Sequence, residues 1–196
     1  MKTKISLIII FSFLLFSCSS DNLDRTIFIP DEDDPELPAY TEWGYNSFGA
    51  FYERDKISST NSIVPCKIVY RNDTLNFSLI GRYASKETAL TFSFPLSKEV
   101  ENIEDLSVLH DFKIDLKGEE CTVKLEENSF PITLEILNGE LYFKRFQLLW
   151  VDEKVNRIIL SGTFELRFLK NGRPESITNG RFDMGITDKD FYNYNN

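Results

Sequence analysis

Apolar and polar residues alternate along most of this chain. A period of two marks strands with one dry face and one wet face. Ile63 to Arg71 alternates this way, with Pro65 on the polar phase. A turn at Arg71–Thr74 leads into Leu75, Phe77 and Leu79, and then into Leu90, Phe92 and Phe94. One stretch departs from the period. Leu96, Val100, Ile103, Leu106 and Leu109 recur every three or four residues, which predicts one short helix over 97–110. Ser97 is its expected N-cap, with Glu99 and Glu101 in the first turn. Strands then resume. Phe112, Ile114 and Leu116 are expected to turn at Lys117–Gly118 into Cys121, Val123 and Leu125. Ile132, Leu134 and Ile136 are expected to turn at Asn138–Gly139, the strongest short hairpin signal, into a long strand from Glu140 to Val151. In the last hairpin Ile158, Leu160, Gly162, Phe164, Leu166 and Phe168 face inward, and Arg157, Ser161, Thr163, Glu165 and Arg167 face outward. Asn171–Gly172 turns the chain, and Ile177–Ile186 returns. Upstream, Trp43–Tyr52 reads as an opening strand with a phase change near Asn46. The pattern predicts an all-β fold: an antiparallel meander of about ten strands plus one short helix. It leaves a sandwich and a lipocalin-like barrel both open, because periodicity gives faces but not closure.

The ends of the chain are organised differently. Lys2 and Lys4 precede an apolar run from Ile5 to Phe16, which is too short for a span of about 20 residues. The run ends in Leu15-Phe16-Ser17-Cys18, the lipobox pattern of bacterial lipoproteins. A thiolate is nucleophilic enough to take a lipid, so Cys18 is the expected lipidation site. These features divide the chain into a signal peptide (1–17), an acidic, proline-containing tether (18–38), one β-domain (39–187) and a C-terminal tail (188–196). The tether holds Asp31, Glu32, Asp33 and Asp34 together, without the spacing, glycine and distal glutamate of a calcium loop. Extended, about 20 residues reach roughly 65 Å.

Charge narrows the partners. The whole chain carries a formal charge of −9. Cleavage before Cys18 removes two lysines and leaves 20 basic against 31 acidic residues. That balance argues against nucleic acid and against adsorption to anionic lipid, so acyl chains are the expected membrane link. Cys66 and Cys121 both fall on apolar phases. A disulfide between them and two buried free thiols are equally compatible with the pattern.

Catalytic motifs are sparse. His110, the one histidine, falls at the expected helix C-terminus, where the helix dipole favours a cation. Ser107, His110 and Asp111 are sequence neighbours and do not make a triad, whose base and orienting acid must face each other. No His/Cys spacing suggests zinc and no glycine-rich loop suggests phosphate, so no cofactor is expected. The acidic residues leave a glycosidase-like carboxylate pair open, since its separation is a three-dimensional fact. Trp43, Tyr45, Tyr52 and Trp150 are candidate ligand-contact aromatics, and the tail Phe191–Tyr194 is another.

The closing hairpin carries a resemblance. Ser161-Gly162-Thr163-Phe164-Glu165-Leu166, Asn171-Gly172 and Ile177-Thr178-Asn179-Gly180-Arg181-Phe182-Asp183 resemble the closing hairpin of a family of uncharacterised Bacteroidota lipoproteins. Trp43 to Tyr52 is similar to their opening strand. The resemblance implies an all-β lipoprotein of the outer membrane, facing the periplasm or the cell surface, and supplies no catalytic residues. Ser19-Ser20-Asp21 resembles the acidic export tag of such lipoproteins, and Asp73-Thr74-Leu75 resembles their O-glycosylation site, with Thr74 as acceptor. The expectation is a non-enzymatic, lipid-anchored binding or interaction module for a glycan or protein. The alternatives are a carrier of a small apolar ligand and a carboxylate-pair hydrolase.

Overall fold

In the computed structural model, which describes residues 25–60 and 65–194, the alternating segments form twelve strands. They are β1 (Ser47–Tyr52), β2 (Asp55–Ser58), β3 (Cys66–Arg71), β4 (Thr74–Tyr83), β5 (Lys86–Pro95), β6 (Phe112–Asp115), β7 (Thr122–Glu127), β8 (Phe130–Thr133), β9 (Glu135–Val151), β10 (Lys154–Lys170), β11 (Arg173–Ile186) and β12 (Phe191–Asn193). A 3₁₀ helix, Ile103–Leu109, separates β5 from β6. The fold is all-β. Cys18, the signal peptide and the Ser19–Asp21 tag lie outside the described residues.

One continuous sheet runs in the order β6-β9-β10-β11-β1-β2-β4-β5-β7-β8, with β3 on β4 and β12 on β3. No ladder joins β6 to β8 among the described residues, so the sheet is open. It folds over itself, and its two halves meet through phenylalanine rings. Phe77 of β4 lies 5.1 Å from Phe143 of β9 and 5.0 Å from Phe182 of β11, ring to ring. Phe92 of β5 lies 5.5 Å from Phe164 of β10. All five are buried. Where a lipocalin-like barrel keeps a ligand cavity, this interior holds aromatic side chains.

The turns explain the meander. Asn72–Asp73, Ala84–Ser85, Asn128–Ser129, Asp152–Glu153 and Asn171–Gly172 each place two consecutive residues at positive φ. That is the two-residue hairpin geometry matching strand twist. Asn171–Gly172 turns as expected, but Asn138–Gly139 does not. These two residues sit inside β9, opposite Arg167 and Leu166. Gly139 is there for a close approach: a Cβ would lie 2.7 Å from the Glu165 carbonyl oxygen. The expected hairpin at Lys117–Gly118 is also corrected. Strand β6 pairs β9 and β7 pairs β5, so residues 116–121 cross between the two halves.

The helix is shorter than expected and starts later. Asn102, not Ser97, caps it: its Oδ1 accepts from the N–H groups of Glu104 and Asp105, and the Asp105 carboxylate accepts from the Asn102 N–H. This reciprocal capping box fixes the start. Leu96, Val100, Ile103, Leu106 and Leu109 are all buried, as their spacing implies.

Both boundaries of the β-domain move outward. The expected tether from Ile27 to Pro38 is the first part of a strap, residues 27–46, docked on the sheet. The Ile27 N–H donates to the Tyr45 carbonyl, Pro30 bridges to Pro38, and Leu37 is fully buried. Arg181 of β11 draws the acidic run onto the protein, with Nη1 at 2.5 Å from Asp31 Oδ2 and Nη2 at 3.8 Å from Asp34 Oδ2. Asp31 also accepts from the N–H groups of Asp33 and Asp34, and these contacts hold its carboxyl below the usual range. The tail is likewise structured: β12 pairs β3 in parallel.

Cys66 and Cys121 are free thiols, which corrects the disulfide alternative. The register runs Cys66–Leu79–Leu90–Leu125 across β3, β4, β5 and β7, and Cys121 lies four residues before Leu125. The cysteines are therefore about 14 Å apart along the strands and about 14 Å across them. A bridge needs Cα atoms within about 7 Å.

Candidate functional site

The outer face of β9, β10 and β11 carries a polar groove. The register decides its composition. Tyr142, Thr163 and Arg181 form one row across the three strands, and Glu140, Glu165 and the bulged pair Thr178–Asn179 form the next. Strap residue Tyr40 closes one side. Two adjoining crevices of about 300 and 340 Å³ flank Glu140 and Glu165, which line both.

Glu140 and Glu165 are direct cross-strand partners. Such partners have Cβ atoms about 4.5–5.5 Å apart, and like charges placed there repel. Lys113 of β6 relieves one of them, its Nζ lying 3.3 Å from Glu140 Oε1. Among the described residues no ion pair or hydrogen bond reaches the Glu165 carboxylate. Two tyrosines and two lysines complete the wall. Lys113 and Lys144 lie 4.5 and 5.9 Å from the Tyr142 ring centre, and Lys144 lies 4.7 Å from that of Tyr40. The Tyr142 hydroxyl donates to Asp111 at 2.5 Å, and this bond raises its pKa.

The Tyr40 hydroxyl donates to Glu42 at 3.0 Å. Burial, followed by that carboxylate, pushes its pKa up to about 12 from an ordinary 10.0. At the far end of the sandwich, burial and then Glu175 raise the pKa of Tyr52 as well. The folded protein therefore keeps protons that the unfolded chain releases above about pH 10. Stability from these groups is complete below pH 10 and falls as pH rises towards 12 and beyond. Thermal unfolding followed against pH should show this alkaline loss, and Tyr40→Phe should shrink it.

The sequence-derived candidates lie elsewhere and do not converge. Trp43 stands exposed on the strap outside the sheet, and Tyr45 is half-buried beside it. Trp150 pairs with Val155, whose side chain packs on the core, so it belongs to the inner phase of β9. No ring contact links Trp43, Tyr45 and Trp150 among the described residues. Tyr52 is buried in a network: its hydroxyl donates to Glu175 and accepts from Lys170 Nζ at 2.9 Å, while Lys170 also bonds Glu127 at 2.7 Å. That network ties β1, β10 and β11 to β7 and is structural. Burial opposes the Lys170 charge, yet the bonds to Glu127 and Tyr52 outweigh it and raise the pKa. Thr74 is partly exposed behind the Asn72–Asp73 turn, its hydroxyl donating to the Asn72 carbonyl at 3.3 Å. His110 caps the 3₁₀ helix and accepts the Phe146 N–H through Nδ1, while Asp111 serves Tyr142. These two neighbours of Ser107 have separate partners.

A third crevice, about 300 Å³, opens at one end of the sandwich between β3, β4 and the segment leading into β12. Its floor is Pro65, Cys66, Ile80 and Ile186, and Lys67 and Lys189 stand at its rim. Burial pushes the Cys66 thiol well up from its ordinary pKa.

Among the described residues no group of three or more His, Cys, Asp or Glu has a metal-holding arrangement, and no helix is long and apolar enough to cross a membrane. No protein-family model, no curated protein and no solved structure matches the chain.

Proposed function

We propose that this chain is a lipid-anchored envelope protein of the outer membrane whose β-domain binds a glycan along the groove of β9, β10 and β11, without catalysing a reaction. The carrying observation is the opposed pair Glu140 and Glu165 on the outer face. A strand pair that violates charge complementarity is disfavoured by folding alone and marks a place where function pays the difference. Saccharides present hydroxyls that donate to carboxylates, and apolar C–H faces that lie against tyrosine rings. The groove offers both, with Thr163, Asn179 and Arg181 as further partners. The anchor reading rests on Leu15–Cys18.

Binding is tested with the chain from Ser19 onward, which contains every described element. An array of neutral and amino-sugar oligosaccharides, followed by calorimetry, should identify a ligand. Glu165→Ala should then weaken its binding about tenfold or more, a loss of about 1.4 kcal/mol. No binding across the array, or binding indifferent to Glu165→Ala and Tyr40→Ala together, would overturn the reading. For the anchor, Cys18→Ala should abolish labelling by a fatty-acid probe.

A second reading has one specific observation behind it. Retaining glycosidases use two carboxyl groups about 5–5.5 Å apart, and the register sets Glu140 directly opposite Glu165 on one face. Release of new reducing ends from a bound oligosaccharide, lost in Glu165→Gln, would convert the binding site into a hydrolase site. The apolar-ligand carrier keeps only the end crevice lined by Cys66 and Ile80.

A further inference from the structure

The tip of the β9–β10 hairpin carries the longest run of exposed large hydrophobic residues among the described residues, four against the three of Ile27–Ile29. Leu148, Leu149, Trp150 and Val151 are consecutive and exposed by 36, 37, 58 and 47% respectively. Four exposed apolar residues in a row are a defect unless something uses them. They also lie on an open edge. Strand β6 pairs β9 only at Glu140–Phe143, and His110 takes the Phe146 N–H. Beyond Phe146, among the described residues, no backbone bond reaches the outer edge of β9. The Phe146 N–H points to that edge, so alternation sends the N–H and C=O groups of Leu148 and Trp150 the same way.

The two ends of the main strand order are protected. Strand β6 has four residues and carries Lys113, and β8 has four residues and carries Pro131. Short length, lysine and proline are the usual means of blunting an edge. The β9 segment has none of these means.

We propose that this edge pairs with a second copy of the chain, antiparallel, about a twofold axis at Leu149. The segment is self-complementary in that register. Leu148 meets the partner's Trp150 and Trp150 meets the partner's Leu148, both as hydrogen-bonded pairs, which gives four backbone bonds. Leu149 meets the partner's Leu149, and Gln147 meets the partner's Val151. Apolar side chains thus cover both faces of the new ladder. Charge agrees with this occupant. The same register brings the partner's acidic turn, Asp152–Glu153, against Phe146 and Arg145, beside His110. A lipid surface suits the tip less well, because insertion would take Asp152 and Glu153 out of water. The interface is a small one, so the dimer is weak and concentration-dependent.

The test is sedimentation velocity on the chain from Ser19 onward, across a range of concentrations. The expected result is a monomer–dimer equilibrium whose dissociation constant rises about tenfold or more in Leu149→Lys, with an unchanged far-UV spectrum and melting temperature. Position-specific cross-linking fixes the register. In a Cys121→Ser background, with Cys66 sheltered in the core, Leu149→Cys should give a disulfide-linked dimer on mild oxidation, because facing non-hydrogen-bonded pairs have Cα atoms about 4.5 Å apart. Gln147→Cys should not. A monomer at every concentration, a dimer indifferent to Leu149→Lys, or equal cross-linking at 147 and 149 would each overturn the proposal.

Discussion

Asp183→Ala should cost the fold about 3–5 kcal/mol. Asp183 is 1% exposed and lies in β11, where the strap crosses the outer face. Its carboxylate gathers four donors from one short stretch of chain. Oδ1 accepts from the Gly44 N–H at 2.8 Å, and Oδ2 accepts from the N–H groups of Trp43 at 3.1 Å and Tyr45 at 3.2 Å and from the Thr41 hydroxyl. Three consecutive backbone N–H groups converging on one carboxylate form an anion nest. Alanine removes the charge and leaves those donors facing a void under the strap. The backbone has little room to shift at Gly44, where even a Cβ would lie 3.2 Å from the Ile159 side chain and 3.3 Å from the Gly185 Cα. Urea unfolding should report the loss, and amide exchange at Trp43–Tyr45 should accelerate more than exchange in β4 or β5. A loss below about 1 kcal/mol would mean that the strap is held by Leu37 and Arg181 alone.

Phe77→Ala should be of similar size, about 3–5 kcal/mol, and uniform across the molecule. Phe77 is fully buried and touches rings from three strands: Phe92, Phe143 and Phe182. Removing it opens a cavity between the two halves of the sheet. Its neighbours cannot collapse inward, because a close approach already fixes them. Gly162 lets β10 sit so near that a Cβ there would lie 2.0 Å from the Tyr142 carbonyl and 2.7 Å from the Phe182 ring. The loss should therefore appear in every probe of the fold, and Phe77→Leu should recover part of it. A variant that keeps wild-type stability would place the centre of the core elsewhere.

The alternating segments, their inward faces and the all-β class were legible because burial on one side writes a period of two into the sequence. The burial of Leu96, Val100, Ile103, Leu106 and Leu109 was legible from a period of three to four, although only the last three lie in the helix. Pairing was not legible. The Asn138–Gly139 dipeptide has turn chemistry, yet its glycine answers to the backbone of β10, which is 26 residues further on. Conversely, Ala84–Ser85 and Asp152–Glu153 turn the chain at positive φ without a glycine or asparagine. The groove was hidden by the same gap. Thr163 and Glu165 were visible as outward residues, but their neighbours depend on register with β9 and β11, and Glu140 meets Glu165 only once Asn138–Gly139 is a strand. The strap was misread because its acidic composition is that of a solvated linker. Nothing local reveals that Arg181, about 150 positions away, neutralises it.

The docked strap changes how far the domain can travel. With the anchor proposed at Cys18, only Ser19 to Thr26 separate the lipid from Ile27, whose backbone is fastened to the domain, and eight residues span at most about 26–29 Å. A leash of that length confines the groove to a shell roughly one protein diameter deep above the bilayer. The ligand would have to come to the membrane, on a diffusing chain or on a neighbouring envelope component, because the domain could not sweep outward to meet it. Inserting a flexible segment of ten or so residues after Asp21 would therefore enlarge the volume searched without touching the fold.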